Sequence, residues 1–419
     1  MRDRIRFVWN RIGERLWVRP LIVAVVSIAG AFFAKVADDT GMEKYVPEVT
    51  PDSIEALLKI ISASMLVIAT FAVASMVSAY ASAASSATPR SFVLVVADDT
   101  SQNALSTFIG AFIFSMVGLV AVLNGYYAEA GRFTLFVLTA LVFILVIVTF
   151  VRWVDKIARL GRMGSTVAKV EAAAADAFDK RQAVPLLGGI AAPAEVAGQA
   201  IHAVEVGYLQ HIHMAALQTQ AEKSKLRIVV AALPGTFCAP NRPIAYVSRD
   251  APGALADDEL EAITGAFEIG QTRVFDQDPR FGLVVLSEIA SRALSPAVND
   301  PGTAIAIAGT LVRLFVRWDA CGKARPEPEV RFDRVAVPEL SLRDMFDDAF
   351  TGMARDGAGT VEVAVRLQKA LEALFTIGNT EMRESARRQA RLALARAEGA
   401  MQMPHDLDAV RHAAAFATP

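Results

Sequence analysis

Four long apolar stretches crowd residues 1–151, and polar positions fall almost entirely between them. The clearest, 133–151, reads FTLFVLTALVFILVIVTFV without a charge and stops at Arg152, Asp155 and Lys156. An α-helix rises about 1.5 Å per residue, so about 20 apolar residues cross a hydrocarbon core about 30 Å thick. The pattern therefore predicts transmembrane helices at about 17–36, 60–87, 104–128 and 133–151. The first stretch carries Arg19 and Lys35 at its ends and follows Trp9 and Trp17. A cleaved signal peptide is its alternative reading, but the length of the stretch and its poor small-residue cleavage site favour an anchor.

The second stretch differs from the others in its abundance of Ala, Ser and Thr. Ala72, Ser75, Ala79, Ser82 and Ser86 recur at spacings of three and four and fall on one helical face. Lipid gives apolar helices no hydrophobic reason to associate, so a small-residue stripe implies close backbone approach. Such a stripe either packs inside a bundle or lines a water-filled path between subunits. No Asp, Glu, Arg or His stands in the middle of any span, which argues against a proton- or ion-coupled transporter and leaves a channel open.

Basic residues set the expected orientation. Arg2, Arg4, Arg6, Arg11, Arg15 and Arg19 precede the first span, Arg90 follows the second, and Arg152, Lys156, Arg159, Arg162 and Lys169 follow the fourth. The opposite loops offer Lys44 and Arg132, so both termini are expected in the cytosol.

Beyond the spans the period changes. Residues 152–200 read as a helical linker, with a break at PLLGGIAAP (185–193). Lys225 to Leu233, a Pro234-Gly235 turn, and Pro243 to Ser248 read as short strands, giving a small β module over 201–250. From 251 to 419 the chain reads as a helical domain, with CGKARPEPEVRF (321–332) as a Pro-rich charged linker. Asp278-Pro279 and Asp300-Pro301 each place an acidic N-cap before a proline at the first helical position, where the missing N–H had no intrahelical partner. The fold class expected is a membrane α-helical protein whose four spans are followed by a cytosolic β module and an α-helical C-terminal domain.

Composition sharpens this picture. The 419 residues are 54% hydrophobic and 21% charged, with a mean hydropathy of +0.38. That is too apolar for an ordinary soluble enzyme. A net charge of -2 leaves no basic footprint for a nucleic acid. Cys238 and Cys321 stand far apart, so neither a disulfide framework nor a zinc site is implied. His202, His211 and His213 lack a nearby carboxylate cluster. Phosphate loops, GxSxG elbows and HExxH helices are missing, so no cofactor and no metal are expected and no motif speaks for an enzyme. The densest polar run is RALSPAVNDP (292–301), readable as a helix–turn–helix joint. Asp278, Arg292, Ser295, Asn299 and Asp300 are its candidate turn or pocket residues, and Asp300 would favour a cation or neutral ligand over an anion.

Thr88-Pro89-Arg90, Gly207-Tyr208-Leu209-Gln210, Pro234-Gly235-Thr236-Phe237, Gln277-Asp278-Pro279-Arg280-Phe281-Gly282 and Arg292-Ala293-Leu294-Ser295-Pro296 with Asn299-Asp300-Pro301 together carry a resemblance. The chain resembles the bacterial membrane-protein family filed as domain of unknown function 2254. Where that family favours Gly and a bulky residue, this chain has Ala297 and Gly302. The resemblance implies a membrane protein with a cytosolic domain and brings no activity with it. The Pro-Gly-x-Phe turn with Asn241-Arg242-Pro243 also resembles half of a barrel-sandwich carrier module, without a lysine to carry a prosthetic group. The reading that follows is a homo-oligomeric channel-like protein in the lipid bilayer, its second helix at the pore. Its alternatives are a non-conducting scaffold or regulator with a protein or ligand partner, and a membrane-bound enzyme.

Overall fold

Prolines, glycines and acidic side chains set the ends of the long apolar helices. The computed structural model describes residues 17–40, 46–86, 88–96, 99–157, 163–249, 254–323 and 329–417. It divides into two units, Met1–Thr166 and Val167–Pro419. The first contains α1 (Val18–Val36), α2 (Pro51–Ser86), α3 (Pro89–Val96), α4 (Asp99–Leu123) and α5 (Glu129–Ile157). Among the described residues four segments are long and apolar enough to cross a membrane: Val18–Asp39, Pro51–Ala81, Thr100–Leu123 and Glu129–Ile157.

Local chemistry moves two of the expected ends. Helix α2 starts at Pro51 rather than near 60, because proline suits a first helical position and Asp52 complements the positive end of the helix dipole. Helix α4 stops at Leu123 rather than 128, where Gly125 takes φ +66. In that turn the Gly125 N–H donates to the Val122 carbonyl at 2.9 Å and the Tyr126 N–H to the Ala121 carbonyl at 3.0 Å. Between α2 and α4, Pro89–Val96 form the separate short helix α3, opened by Thr88-Pro89, with Ser91 Oγ donating to the Thr88 carbonyl at 2.8 Å.

Helix α4 packs against α1, α2 and α5. The seam that α2 presents is Ile54, Leu58, Ile61, Met65, Ala72 and Met76, all buried at spacings set by three and four. Trp153 of α5 is fully buried beside Phe71, Phe108 and Phe150. At the other end of α5 the cap comes from a remote residue. Asp38, in the 3₁₀ turn Ala37–Thr40 after α1, accepts from the backbone N–H groups of Ala128 at 2.9 Å and Gly131, and pairs with Lys35 at 3.2 Å.

The second unit begins within α6 (Met163–Ala183) and continues with β1 (Gly189–Ala191), β2 (Gln199–His202), β3 (Gly207–Ile212), α7 (Met214–Lys223), β4 (Leu226–Val230), β5 (Phe237–Cys238) and β6 (Pro243–Arg249). Then come α8 (Asp257–Thr264), β7 (Phe267–Gly270), α9 (Pro279–Ala293), α10 (Pro301–Lys323), β8 (Phe332–Val337), α11 (Leu342–Asp356), α12 (Val361–Ile377), α13 (Thr380–Ala400) and α14 (Pro404–Ala413). Five strands form a mixed sheet in the order β1-β8-β4-β6-β2, and β5-β3-β7 form an antiparallel sheet. Strand β8 lies parallel to both β1 and β4.

The strands therefore reach beyond 201–250 on both sides. Strand β8 begins at Phe332, the last residue of the Pro-rich stretch read as a linker, and β7 lies within 251–419, which the pattern read as helical. The physical cause of the second difference is the pairing of β7 with the distant β3, Phe267 opposite Ile212, which outweighs the local helical pattern beyond Gly265. The sheets share a core that includes Leu209, Ile212, Leu226, Ile228, Val230 and Val335. Strand β4 turns Leu226, Ile228 and Val230 inward in strict alternation. Helices α9 to α13 pack in neighbouring pairs around Phe315, Phe346 and Phe350, whose ring centroids lie 4.3 to 5.8 Å apart.

Candidate functional site

Asp278 gathers the second unit around itself. Its side chain is 1% exposed and caps α9, with Oδ1 accepting from the backbone N–H groups of Arg280 at 3.1 Å and Phe281 at 3.2 Å. Arg273 grips the same carboxylate with two hydrogen bonds, Nε to Oδ2 at 2.7 Å and Nη2 to Oδ1 at 3.0 Å. This is the two-pronged geometry that a guanidinium offers a carboxylate. Burial pushes the Asp278 carboxyl up, against the pull of Arg273. Arg280 turns the other way and holds Asp348 at 2.6 Å and Asp344 at 3.1 Å, fastening the start of α9 to α11.

Three sequence motifs converge here. Gly235 of the Pro234-Gly235 turn has φ +93, and a Cβ there would stand 2.3 Å from Asp278 Oδ2. Only glycine allows both the turn and the approach. The turn is anchored on β3, where the Gly235 N–H donates to the Leu209 carbonyl at 2.8 Å and the Leu209 N–H to the Thr236 carbonyl at 2.9 Å. Gln210 Nε2 donates to the Thr272 carbonyl at 2.6 Å, and Gln277 Oε1 accepts from the Ile212 N–H at 3.2 Å. Strand β3, the glycine turn and the N-terminus of α9 thus share one buried polar hub.

Helix α6 supplies a member that sequence reasoning missed. Arg181 is 4% exposed and donates from Nη2 to the Gln277 carbonyl at 3.0 Å, while its buried Nη1 has no hydrogen-bond partner. Burial lowers the guanidinium to about 10. Lys180 beside it pairs with Asp276 at 3.0 Å, and Asp179 pairs with Arg317 of α10. An arginine in a charged helix end carries no pattern signal for burial, because its partner is a backbone carbonyl 96 positions away.

The other expected pocket residues lie elsewhere. Helix α9 has 15 residues, so Asp278 and the 292–301 turn are separated by about 22 Å of helix. At that far end Ser295 Oγ donates to the Arg292 carbonyl at 2.7 Å, Asn299 adopts φ +48, and the Asp300 N–H donates to the Ala293 carbonyl. Asp300 also caps α10, accepting from the Thr303 N–H at 3.0 Å and from the Thr303 hydroxyl. Those bonds hold its carboxyl below the usual carboxylate range. Pro296 to Asp300 are exposed, and the side-chain oxygens of Ser295 and Asp300 are spent on bonds within the turn and its cap.

The His211 and His213 rings lie tilted at 55° with centroids 4.6 Å apart, and His213 lies 3.8 Å from Glu268. Among the described residues no group of three or more His, Cys, Asp or Glu side chains could hold a metal. A separate cleft of about 290 Å³ opens beside β1, lined by Val184, Pro185, Leu186, Ile190 and Val330. Its two charged residues, Glu329 and Arg331, pair with each other at 3.2 Å.

In the first unit, Ala72 of the expected small-residue stripe is fully buried, and Ser75 and Ala79 are half-buried. The side chains of Ser82 and Ser86 lie outside the described residues. A second line, Thr70, Ala74, Ser78 and Ala81, is exposed on the opposite face of α2.

No solved structure matches this chain. It is 25% identical over 352 residues to the uncharacterized protein Mb1321c of Mycobacterium bovis and, equally, to the uncharacterized protein Rv1290c of Mycobacterium tuberculosis. Each match covers 80% of this chain and 66% of the relative, so the chain spans just under two thirds of these longer proteins. The model of a family described as predicted membrane protein, domain of unknown function 2254, matches residues 13–373, a range that takes in the four apolar helices and the Asp278 hub. The chain therefore belongs to this predicted membrane-protein family.

Proposed function

We propose that the protein is a homo-oligomeric, channel-like protein of the bacterial inner membrane, with both termini cytosolic and its C-terminal unit serving as vestibule or sensor. The observation that carries this reading is the outward line on α2. Thr70, Ala74, Ser78 and Ala81 are small and exposed opposite the packed seam, a line of small side chains flanked by the exposed Leu66, Val67 and Val77. A face that met only acyl chains would gain nothing from small side chains, whereas a neighbouring helix gains close approach and room for water. Copies of α2 then meet along this line around a shared axis. The basic residues before α1 and after α5 support the orientation.

A second reading rests on a different observation. Ala72 is buried and Ser75 and Ala79 are half-buried within one chain, so the inward stripe is used for packing. A non-conducting scaffold or regulator, acting through its C-terminal unit, needs nothing more from α2.

The mass of the purified protein in detergent, with bound detergent subtracted, separates the two. A ring of five or more copies supports the channel, and Ala74→Cys or Ser78→Cys should then cross-link copies and respond to small polar thiol reagents. A monomer ends the channel reading. A dimer shifts the weight to the regulator, because two copies of one helix do not enclose a path.

A further inference from the structure

We infer that Asp278 has two alternative arginine partners, Arg273 and Arg181, and that the hub is a two-position latch between the 271–277 loop and α6. In the position described, Arg273 holds both carboxylate oxygens. Oδ1 also takes the two backbone N–H groups of the cap, whereas Oδ2 accepts from Arg273 Nε alone. Oδ2 therefore has acceptor capacity to spare.

The competing donor is already in place. Arg181 rests on the carbonyl of Gln277, the residue next to Asp278, and its Nη1 is buried without a hydrogen-bond partner. A buried donor left over is costly, and the neighbouring carboxylate is the acceptor that would relieve it. A turn of the guanidinium gives Arg181 to Oδ2. Arg273 keeps a support when it yields, because its guanidinium lies over the Phe281 ring at 5.3 Å from the centroid. The cap on Oδ1 is kept in both positions, so the carboxylate is never left unpaired. Two arrangements that each satisfy it can differ by little in free energy.

The consequence is directional. With Arg273 engaged, Asp278 is fastened to its own loop; with Arg181 engaged, it is fastened to α6, the first helix after the last apolar span in the chain. The Lys180–Asp276 pair at 3.0 Å keeps the two segments together in either position. The latch holds whether or not the assembly conducts.

The test uses the full chain in detergent and a mutant cycle. Arg273→Gln alone should lower Tm by about 2–4 °C, because Arg181 takes over, and Arg181→Gln by about as much, because Arg273 already holds the carboxylate; together they should lower it by about 10 °C or more. Additive losses would overturn the latch. Should the double variant fail to fold, hydrogen exchange on Arg273→Gln alone decides. Loss of protection over 271–277 with the last turn of α6 still protected is the expected result. Loss over both segments together would show that Arg181 does not take the carboxylate.

Discussion

Each unit contains a buried carboxylate that caps a helix, and the two differ in where the cap comes from. Asp278 caps the helix that begins at the next residue and is paired with Arg273, five positions away. Asp38 caps α5 from 90 and 93 positions away, reaching over from the end of α1. In the first unit a polar bond of long sequence separation fixes how apolar helices sit together, because lipid supplies no hydrophobic force to do it. In the second, a local cap is the seed, and remote groups such as Gly235 and Arg181 collect around it. Membrane helices were therefore readable as elements and not as an arrangement, whereas the hub was readable as a cap and not as a meeting point.

The sharpest way to break this comparison is Asp278→Ala. It strands Arg273, deprives α9 of its cap and leaves buried cations without a counterion, at an expected cost of about 3–5 kcal/mol in thermal or chemical unfolding. A loss under about 1 kcal/mol would mean the hub is not what joins the β strands to the helices. Gly235→Ala is expected to follow at about 2–3 kcal/mol, since the added methyl group meets the Asp278 carboxylate and the backbone is left-handed. Next in size, Asp38→Ala should cost about 1–2 kcal/mol by uncapping α5, with Asp38→Asn milder because an amide oxygen still accepts. Cysteines introduced on α1 and α5 would report the loosened pair by slower or less specific cross-linking.

Two smaller effects sharpen the contrast at the exposed end of α9. Asn299→Ala should cost about 1 kcal/mol at φ +48, while Asn299→Gly should be close to neutral, as expected of a turn residue rather than a ligand-binding one. Asp300 has its pKa lowered by Thr303, so its cap contributes above the unfolded carboxylate value and is lost as pH falls through the folded value. Melting curves from pH 7 down to about 2 should show that loss in the native chain and not in Asp300→Asn.

How far the pattern of residues reached follows from the range of each interaction. Apolar runs announced four spans because burial in lipid needs only consecutive side chains. Asp278-Pro279 and Asp300-Pro301 announced helix starts because capping is a matter of neighbours. Strands β1 and β8 were out of reach, as they pair in parallel across many intervening elements and are only 3 and 6 residues long. Three of the five quoted motifs belong to the hub, and only the fold showed that Gly207 to Gln210, Pro234 to Phe237 and Gln277 to Gly282 meet.

The parallel pairing of β1 with β8 also sets a timetable. Residue 191 leaves the ribosome long before residue 332, and at about 5–20 residues per second the chain between them takes on the order of ten seconds to synthesise. Until β8 arrives, β1 has no neighbour and β4 has an open side. The nascent chain must therefore carry an unfinished sheet edge through the period in which α7 to α10 are made, which makes this interval the point at which chaperones and proteases would act on it.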